Sequence, residues 1–212
     1  HNAFTNNTIE NSYYGIFADG NSTQKSHNNT IIGNEIFGFF KGGLYISYDD
    51  TATINDNRIL GHQPAGQFTI YGVYLNYIDG GCDFNNNYIH MDVTGNVYGA
   101  YFYRVTGIPT RPNLISNNMI TLTGYSTSTA CRNLYLYYAS DNNFIHNSIA
   151  NYAGQSGTEV IYMSGAMSNN SFINNNMAHM GGGFVLETAS SVVVSTAIDS
   201  SDYNNYYATG GQ

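Results

Sequence analysis

The sequence predicts an all-β solenoid of about seven to eight parallel coils built around an asparagine ladder. Three observations predict it. An Asn recurs at fixed offset from two apolar residues, a second short β signal recurs once per interval, and helical periodicity is absent. The first signal runs FTNNTI, IIGNEI, INDNRI, FNNNYI, ISNNMI, FIHNSI and FINNNM, anchored on Asn7, Asn34, Asn57, Asn87, Asn118, Asn147 and Asn175, with a worn copy at Asn204. Successive anchors lie 27, 23, 30, 31, 29, 28 and 29 residues apart. Such a period suits one coil of a repeat array.

Each element follows from this frame. The apolar residue three before the anchor (Phe4, Ile31, Ile54, Phe84, Ile115, Phe144, Phe172) marks one strand. The apolar residue two after it (Ile9, Ile36, Ile59, Ile89, Ile120, Ile149, Met177) marks the next. The turn between them is assigned to the anchor Asn, which tolerates the left-handed conformation. Stacked on its equivalents, its amide forms a ladder that offsets burial of a polar group. A second column, five before the anchor, reads Asn2, Asn29, Ala52, Cys82, Asn113, Asn142 and Asn170.

The second signal is GIFA, GLYI, GVYL, GAYF, NLYL, VIYM and GFVL. Alternation turns Ile16/Ala18, Leu44/Ile46, Val73/Leu75, Ala100/Phe102, Leu134/Leu136, Ile161/Met163 and Phe184/Leu186 inward. The central residues Phe17, Tyr45, Tyr74, Tyr101, Tyr135, Tyr162 and Val185 turn outward. A second outward column reads Asp19, Ser47, Asn76, Tyr103, Tyr137, Ser164 and Glu187, and beyond it stand Tyr48, Tyr77, Arg104 and Tyr138.

Composition narrows the function. Of 212 residues only 9% are charged, with 6 Lys+Arg against 14 Asp+Glu and a net charge of −8. So few cations cannot neutralise a run of phosphates, which argues against nucleic acid and against a basic membrane anchor. No apolar run approaches the roughly 18 residues of a spanning helix. Hydrophobic residues make up 42%, enough for a core. The reading is one domain over 1–212, a portion of a longer chain, from a secreted or cell-surface protein.

The repeated Asn turns and Tyr strands resemble the right-handed parallel β-helix repeat family, of the pectate-lyase-like and NosD-like type. The resemblance spans residues 2 to about 206. It implies a right-handed parallel β-helix in which the Tyr strand belongs to the sheet that lines the substrate cleft of the family's enzymes. The family includes polysaccharide lyases, hydrolases, tailspikes, adhesins and non-catalytic surface repeats.

The candidate ligand surface is the outward stripe of Phe17, Tyr45, Tyr74, Tyr101, Tyr103, Tyr135, Tyr137 and Tyr162. At the usual strand spacing its central column runs roughly 24 Å. Aromatic faces beside hydroxyls suit the CH faces and hydroxyls of a glycan; stacked Tyr also simply stabilises a parallel sheet. Arg104 between tyrosines predicts cation–π stacking.

No catalytic residues are assigned. The acids of the outward columns, Asp19 and Glu187, stand about 29 Å apart, beyond the reach of a glycosidase pair. No acidic cluster is expected beside Arg104 or Arg132. Asp49, Asp50 and Asp79, from adjacent coils, form a candidate Ca²⁺ site or acid/base pair, although DDT and DGG are also ordinary turn sequences; no other cofactor is expected. The histidines form no column, and the His90-Met91 and His179-Met180 pairs lie too far apart for one copper site. Cys82 and Cys131 read as unpaired thiols.

The leading function is a non-enzymatic stalk or adhesin module contacting glycans. The alternatives are a polysaccharide lyase or glycoside hydrolase on the same face, and a subunit that self-associates end to end into a filament.

Overall fold

A computed structural model describes residues 1–63, 69–124, 130–154 and 157–209. The chain winds as a parallel β-helix of about seven turns. The strands before the anchor, from Ala3–Thr5 to Ile198–Asp202, form one sheet of eight, and those after it, from Thr8–Glu10 to Asn205–Ala208, form another. The tyrosine sheet comprises Tyr14–Asp19, Gly42–Asp50, Ile70–Asp79, Val97–Thr106, Cys131–Tyr137, Glu159–Ser164 and Phe184–Thr188, with the short strand Ser26–His27 beside Gly42–Asp50. Every pairing between these strands is parallel, because each joins equivalent residues one coil apart.

The expected inward columns are the core. Ile31, Ile54, Phe84, Ile115, Phe144 and Phe172 are buried, as are Ile36, Ile59, Ile89, Ile120, Ile149 and Met177. Inside the tube Phe144 stacks on Phe172 at 4.7 Å. Each such side chain contributes about 1.5–3 kcal/mol through burial.

The anchor asparagines are buried from Asn34 to Asn175 and bond in one direction along the tube. The side-chain oxygen of Asn118 accepts from the backbone N–H and amide of Asn87, at 2.9 and 3.0 Å. Its own amide donates to Asn147 Oδ1 at 2.9 Å and to the Phe84 carbonyl at 2.8 Å. The same pattern links Asn7 to Asn34 and Asn175 to Asn204.

The anchor is not the left-handed residue. Positive φ falls one residue earlier, at Asn6, Gly33, Asp56, Asn86, Asn117, His146, Asn174 and Tyr203. The labour is divided: the preceding residue makes the bend, which leaves the anchor side chain free to point into the tube.

The second column forms a broken ladder. Asn113 donates to Asn142 and Asn142 to Asn170, each at 2.8 Å. Ala52 and Cys82 interrupt it. There the buried Asp49 carboxylate accepts from the Asn29 amide in place of a ladder asparagine, while its other oxygen has no hydrogen-bond partner among the described residues. Burial raises the Asp49 pKa, opposed by the Asn29 donor. Cys82 and Cys131 are both buried, and the Cys131 thiol donates to the Gly95 carbonyl at 3.0 Å.

Candidate functional site

The outward face of the tyrosine sheet carries four columns, two of them created by backbone bends. Gly15, Gly43, Gly72 and Gly99 occupy one bend. A Cβ on Gly99 would stand 2.7 Å from the Asn133 carbonyl oxygen, so the coils close only on a bare backbone there. This bend turns the residue before it outward as well, adding a column missed in the sequence: Tyr14, Gly42, Tyr71, Tyr98, Arg132, Glu159 and Phe184. Its signal was present in YGIF, YGVY and YGAY, where a Tyr precedes each Gly.

The central column stands where the repeat put it. Ring centroids are 4.7 Å apart for Phe17–Tyr45, 5.1 Å for Tyr45–Tyr74 and 4.8 Å for Tyr74–Tyr101. They are 4.6 Å apart for Tyr101–Tyr135 and 5.3 Å for Tyr135–Tyr162. Tyr103 and Tyr137 flank it, 5.2 Å apart. Phe17 is exposed, and the tyrosines are half-buried with one side open to solvent. Desolvation pushes the Tyr71 phenol up to about 12 and raises Tyr74 and Tyr101 as well. The phenols therefore remain protonated in ordinary conditions, able both to donate and to accept.

The seventh coil departs from the expected register by two residues. Tyr162 pairs with Glu187, not Val185, and Ile161 pairs with Leu186. The apolar match of GFVL was misleading because parity is unchanged by a slip of two. The true unit, FVLE, is equivalent to EVIY in the coil before it.

Contrary to the expectation of no acidic cluster beside Arg132, Glu159 pairs with it from the next strand and the slip of two brings Glu187 opposite Tyr162. Arg132 Nε donates to Glu159 Oε2 at 2.9 Å, and Glu187 lies near enough to Glu159 to oppose its ionisation. The Glu159 side chain is only 4% exposed. Its pKa is pushed up to about 7, chiefly by burial and further by Glu187, against the opposing pull of Arg132. The guanidinium lies 3.9 Å from the Tyr162 ring centre and 4.9 Å from that of Tyr135.

The column beyond the second bend is Tyr48, Tyr77, Arg104 and Tyr138, all at φ between 50° and 54°. Tyr48 stacks on Tyr77 at 4.8 Å. Arg104 lies between Tyr77 and Tyr138, 5.3 and 5.0 Å from their ring centres, which is the predicted cation–π arrangement.

The candidate Ca²⁺ ligands do not converge. Asp50 and Asp79 are partners on adjacent strands, as expected. Asp49, however, points into the core, because the bend at Tyr48 lets two outward residues precede it. Lys25 bonds to both Asp50 and Asp79, placing an ammonium between them. Among the described residues no group of three or more His, Cys, Asp or Glu is placed to hold a metal ion.

Comparison with known proteins extends the fold assignment only. No family model and no curated protein matches the chain. Among solved structures, the chain is similar to the periplasmic alginate epimerase AlgG, with 15% identity and a TM-score of 0.60. The match covers 95% of this chain and 43% of that one, so the chain spans less than half of its neighbour. That likeness supports a parallel β-helix. Weaker matches are QnrB1, a plasmid-mediated fluoroquinolone resistance protein (13% identity, 89% and 92% coverage, TM-score 0.20), and HetL, a pentapeptide repeat protein from Nostoc sp. strain PCC 7120 (8% identity, 95% and 88% coverage, TM-score 0.15). Scores this low carry no argument. No described helix is long and apolar enough to cross a membrane.

Proposed function

We propose that this chain is a glycan-contacting β-helix module of a secreted or cell-surface protein, working as a rigid stalk or adhesin element. The observation that supports it is the continuous aromatic face, in which touching rings from six successive coils, three contacts stacked and two edge-on, keep one side open to solvent. Packing alone needs the rings to cover the sheet. It does not need phenol groups at its surface, and these match sugar hydroxyls while the ring faces match sugar CH groups. The low charge fits an extracellular scaffold. Binding to a glycan array, compared with Tyr74→Ala and Tyr101→Ala, tests the reading. Loss of binding in both variants supports it, and unchanged binding removes the face from the account.

The Arg132–Glu159–Glu187 cluster favours a second reading, a carbohydrate-active enzyme on the same face. A buried carboxyl whose pKa is pushed up to about 7 beside a second carboxylate is the material of general acid–base catalysis. The β-helix neighbour is itself described as an alginate epimerase, so this kind of coil carries polysaccharide chemistry in at least one protein. Incubation with acidic polysaccharides, watching for unsaturated products or new reducing ends, tests it, with Glu187→Gln as the inactive control.

A further inference from the structure

The turn into the last tyrosine strand is closed by a histidine where the coil before it uses an asparagine. Asn151 and His179 are register partners at the ends of Ser148–Asn151 and Asn176–His179. Both are fully buried, and each bonds back to the chain that follows it. Asn151 Oδ1 accepts from the Ala153 N–H at 2.9 Å, two residues on, and its amide donates to the Glu159 carbonyl at 3.1 Å. His179 Nδ1 accepts from the Gly181 N–H, also two residues on, and from the Gly183 N–H, each at 3.1 Å. Its Nε2 lies 2.8 Å from Thr158 Oγ1. Two backbone donors on Nδ1 leave the ring proton on Nε2, which donates to Thr158. An amide orders this turn in one coil, and an imidazole orders it in the next.

Only the imidazole takes up a proton. Protonation puts an N–H on Nδ1, facing two N–H groups that then lose their acceptor, and it buries a charge. The groups that surrounding elements bring to the ring are neutral: Asn151 from the strand before, Ala208 from the strand after, Thr158 ahead of Glu159–Ser164, and the glycines of its own turn. Glu159 follows Thr158 in the chain, but its carboxylate pairs with Arg132. Burial lowers the His179 pKa, opposed by Thr158.

The strand that this turn feeds has little else to hold it. Phe184–Thr188 is an edge strand, paired with Glu159–Ser164, and none of its five residues is fully buried. The chain enters it through Gly181, Gly182 and Gly183, with Gly182 at φ +88°, a run with the backbone freedom of a hinge. A Cβ on Gly183 would stand 2.6 Å from His179 Nε2, so the turn closes over the ring only on a bare backbone.

We propose that His179 is a pH-sensitive latch: the neutral ring holds the Gly181–Gly183 turn closed and Phe184–Thr188 docked, and protonation of the ring releases both. Release uncovers the Glu159–Ser164 edge, whose Ile161 and Met163 are otherwise buried. It also withdraws Glu187 from Glu159 and Arg132, so the carboxylate pair is assembled only while the ring is neutral.

Hydrogen–deuterium exchange on the intact chain between about pH 7.5 and 5, corrected for the intrinsic pH dependence of amide exchange, tests this. The ring binds its proton more weakly docked than free, so opening is constant above about 6.5 and grows as pH falls below that value. The expected result is an opening constant for residues 181–189 that rises by up to about tenfold per pH unit there, with 131–137 of the same sheet unchanged. His179→Asn installs the side chain that the preceding coil uses, and should keep the protection at neutral pH while losing the acid response. Glu159→Gln removes the carboxylate, whose titration loosens the strand in the opposite direction, and should keep the acid response. If circular dichroism shows that His179→Asn does not fold, nitrogen-15 spectra of the wild-type ring decide: Nδ1 gains its proton over the pH interval in which 181–189 opens. Opening of 181–189 that ignores pH, an acid response that persists in His179→Asn, or a ring that titrates without opening the strand overturns the latch.

Discussion

Replacing Asn118 by Ala removes the middle rung of the anchor ladder. Four hydrogen bonds disappear together: two accepted from Asn87 and two donated, to Phe84 O and Asn147 Oδ1. Some groups retain a partner. The Asn87 amide still donates to Ile54 O, and Asn147 Oδ1 still accepts from the Asn118 backbone. The buried Asn87 N–H loses its acceptor and Phe84 O loses a donor. An orphaned buried group costs about 1–3 kcal/mol, and the vacated amide volume adds a cavity penalty. The expected loss is about 3–5 kcal/mol, a large part of a typical domain's stability. Asn204→Ala deletes the equivalent group at an incompletely buried position, where water takes over the bonds, so about 1 kcal/mol is expected there. Urea unfolding followed by circular dichroism measures both, with the m-value checking that the unfolding unit is unchanged. Equal costs for the two variants, at equal m, would refute the claim that buried amide pairing holds successive coils together.

The other expectations concern the tyrosine face and its last coils. Gly99→Ala pushes a methyl group against the Asn133 carbonyl and Ile120, and should cost about 2–4 kcal/mol in the same urea assay. Glu159 has a folded pKa raised to about 7, so its contribution is complete below its ordinary value near 4.5 and fades as pH rises through 7. Melting should therefore weaken between pH 5 and 8 by an amount that Glu159→Gln abolishes. His179 has the opposite sign: its ring nitrogens bond Thr158, Gly181 and Gly183, and burial lowers its pKa. Its contribution is present above about 6.5 and declines as pH falls below that value, a loss that hydrogen exchange at Gly181 and Gly183 would register as faster opening in acid.

The architecture was legible because a parallel coil repeats every local choice at the same offset. The anchor Asn, the flanking apolar residues and the Tyr stripe each report one side of the tube, and all three sheets follow from them. Bends were less legible. The left-handed residue before the anchor varies among Asn, Gly, Asp, His and Tyr, so it leaves no single-letter column. The bends around Tyr48 and Gly72 break strict alternation; one hid the Tyr71–Tyr98–Arg132–Glu159 column and the other sent Asp49 inward. The seventh coil slipped by two because parity alone cannot distinguish GFVL from FVLE. That slip separated Glu187 from Glu159, and so hid the carboxylate pair beside Arg132. Asp50 and Asp79 were correctly placed as neighbours, but Lys25 lies in a loop outside both repeat signals, so the cation between them left no trace in the pattern.

The proposed glycan contact is tested most directly by the side of the coil that a bound polysaccharide covers. Hydroxyl-radical footprinting of the chain with and without saturating polygalacturonate measures this residue by residue. Protection confined to Tyr74, Tyr101, Tyr103 and Tyr135, with Tyr88 on the neighbouring sheet unchanged, is the predicted result. Protection centred on Tyr88, or none anywhere, would contradict it.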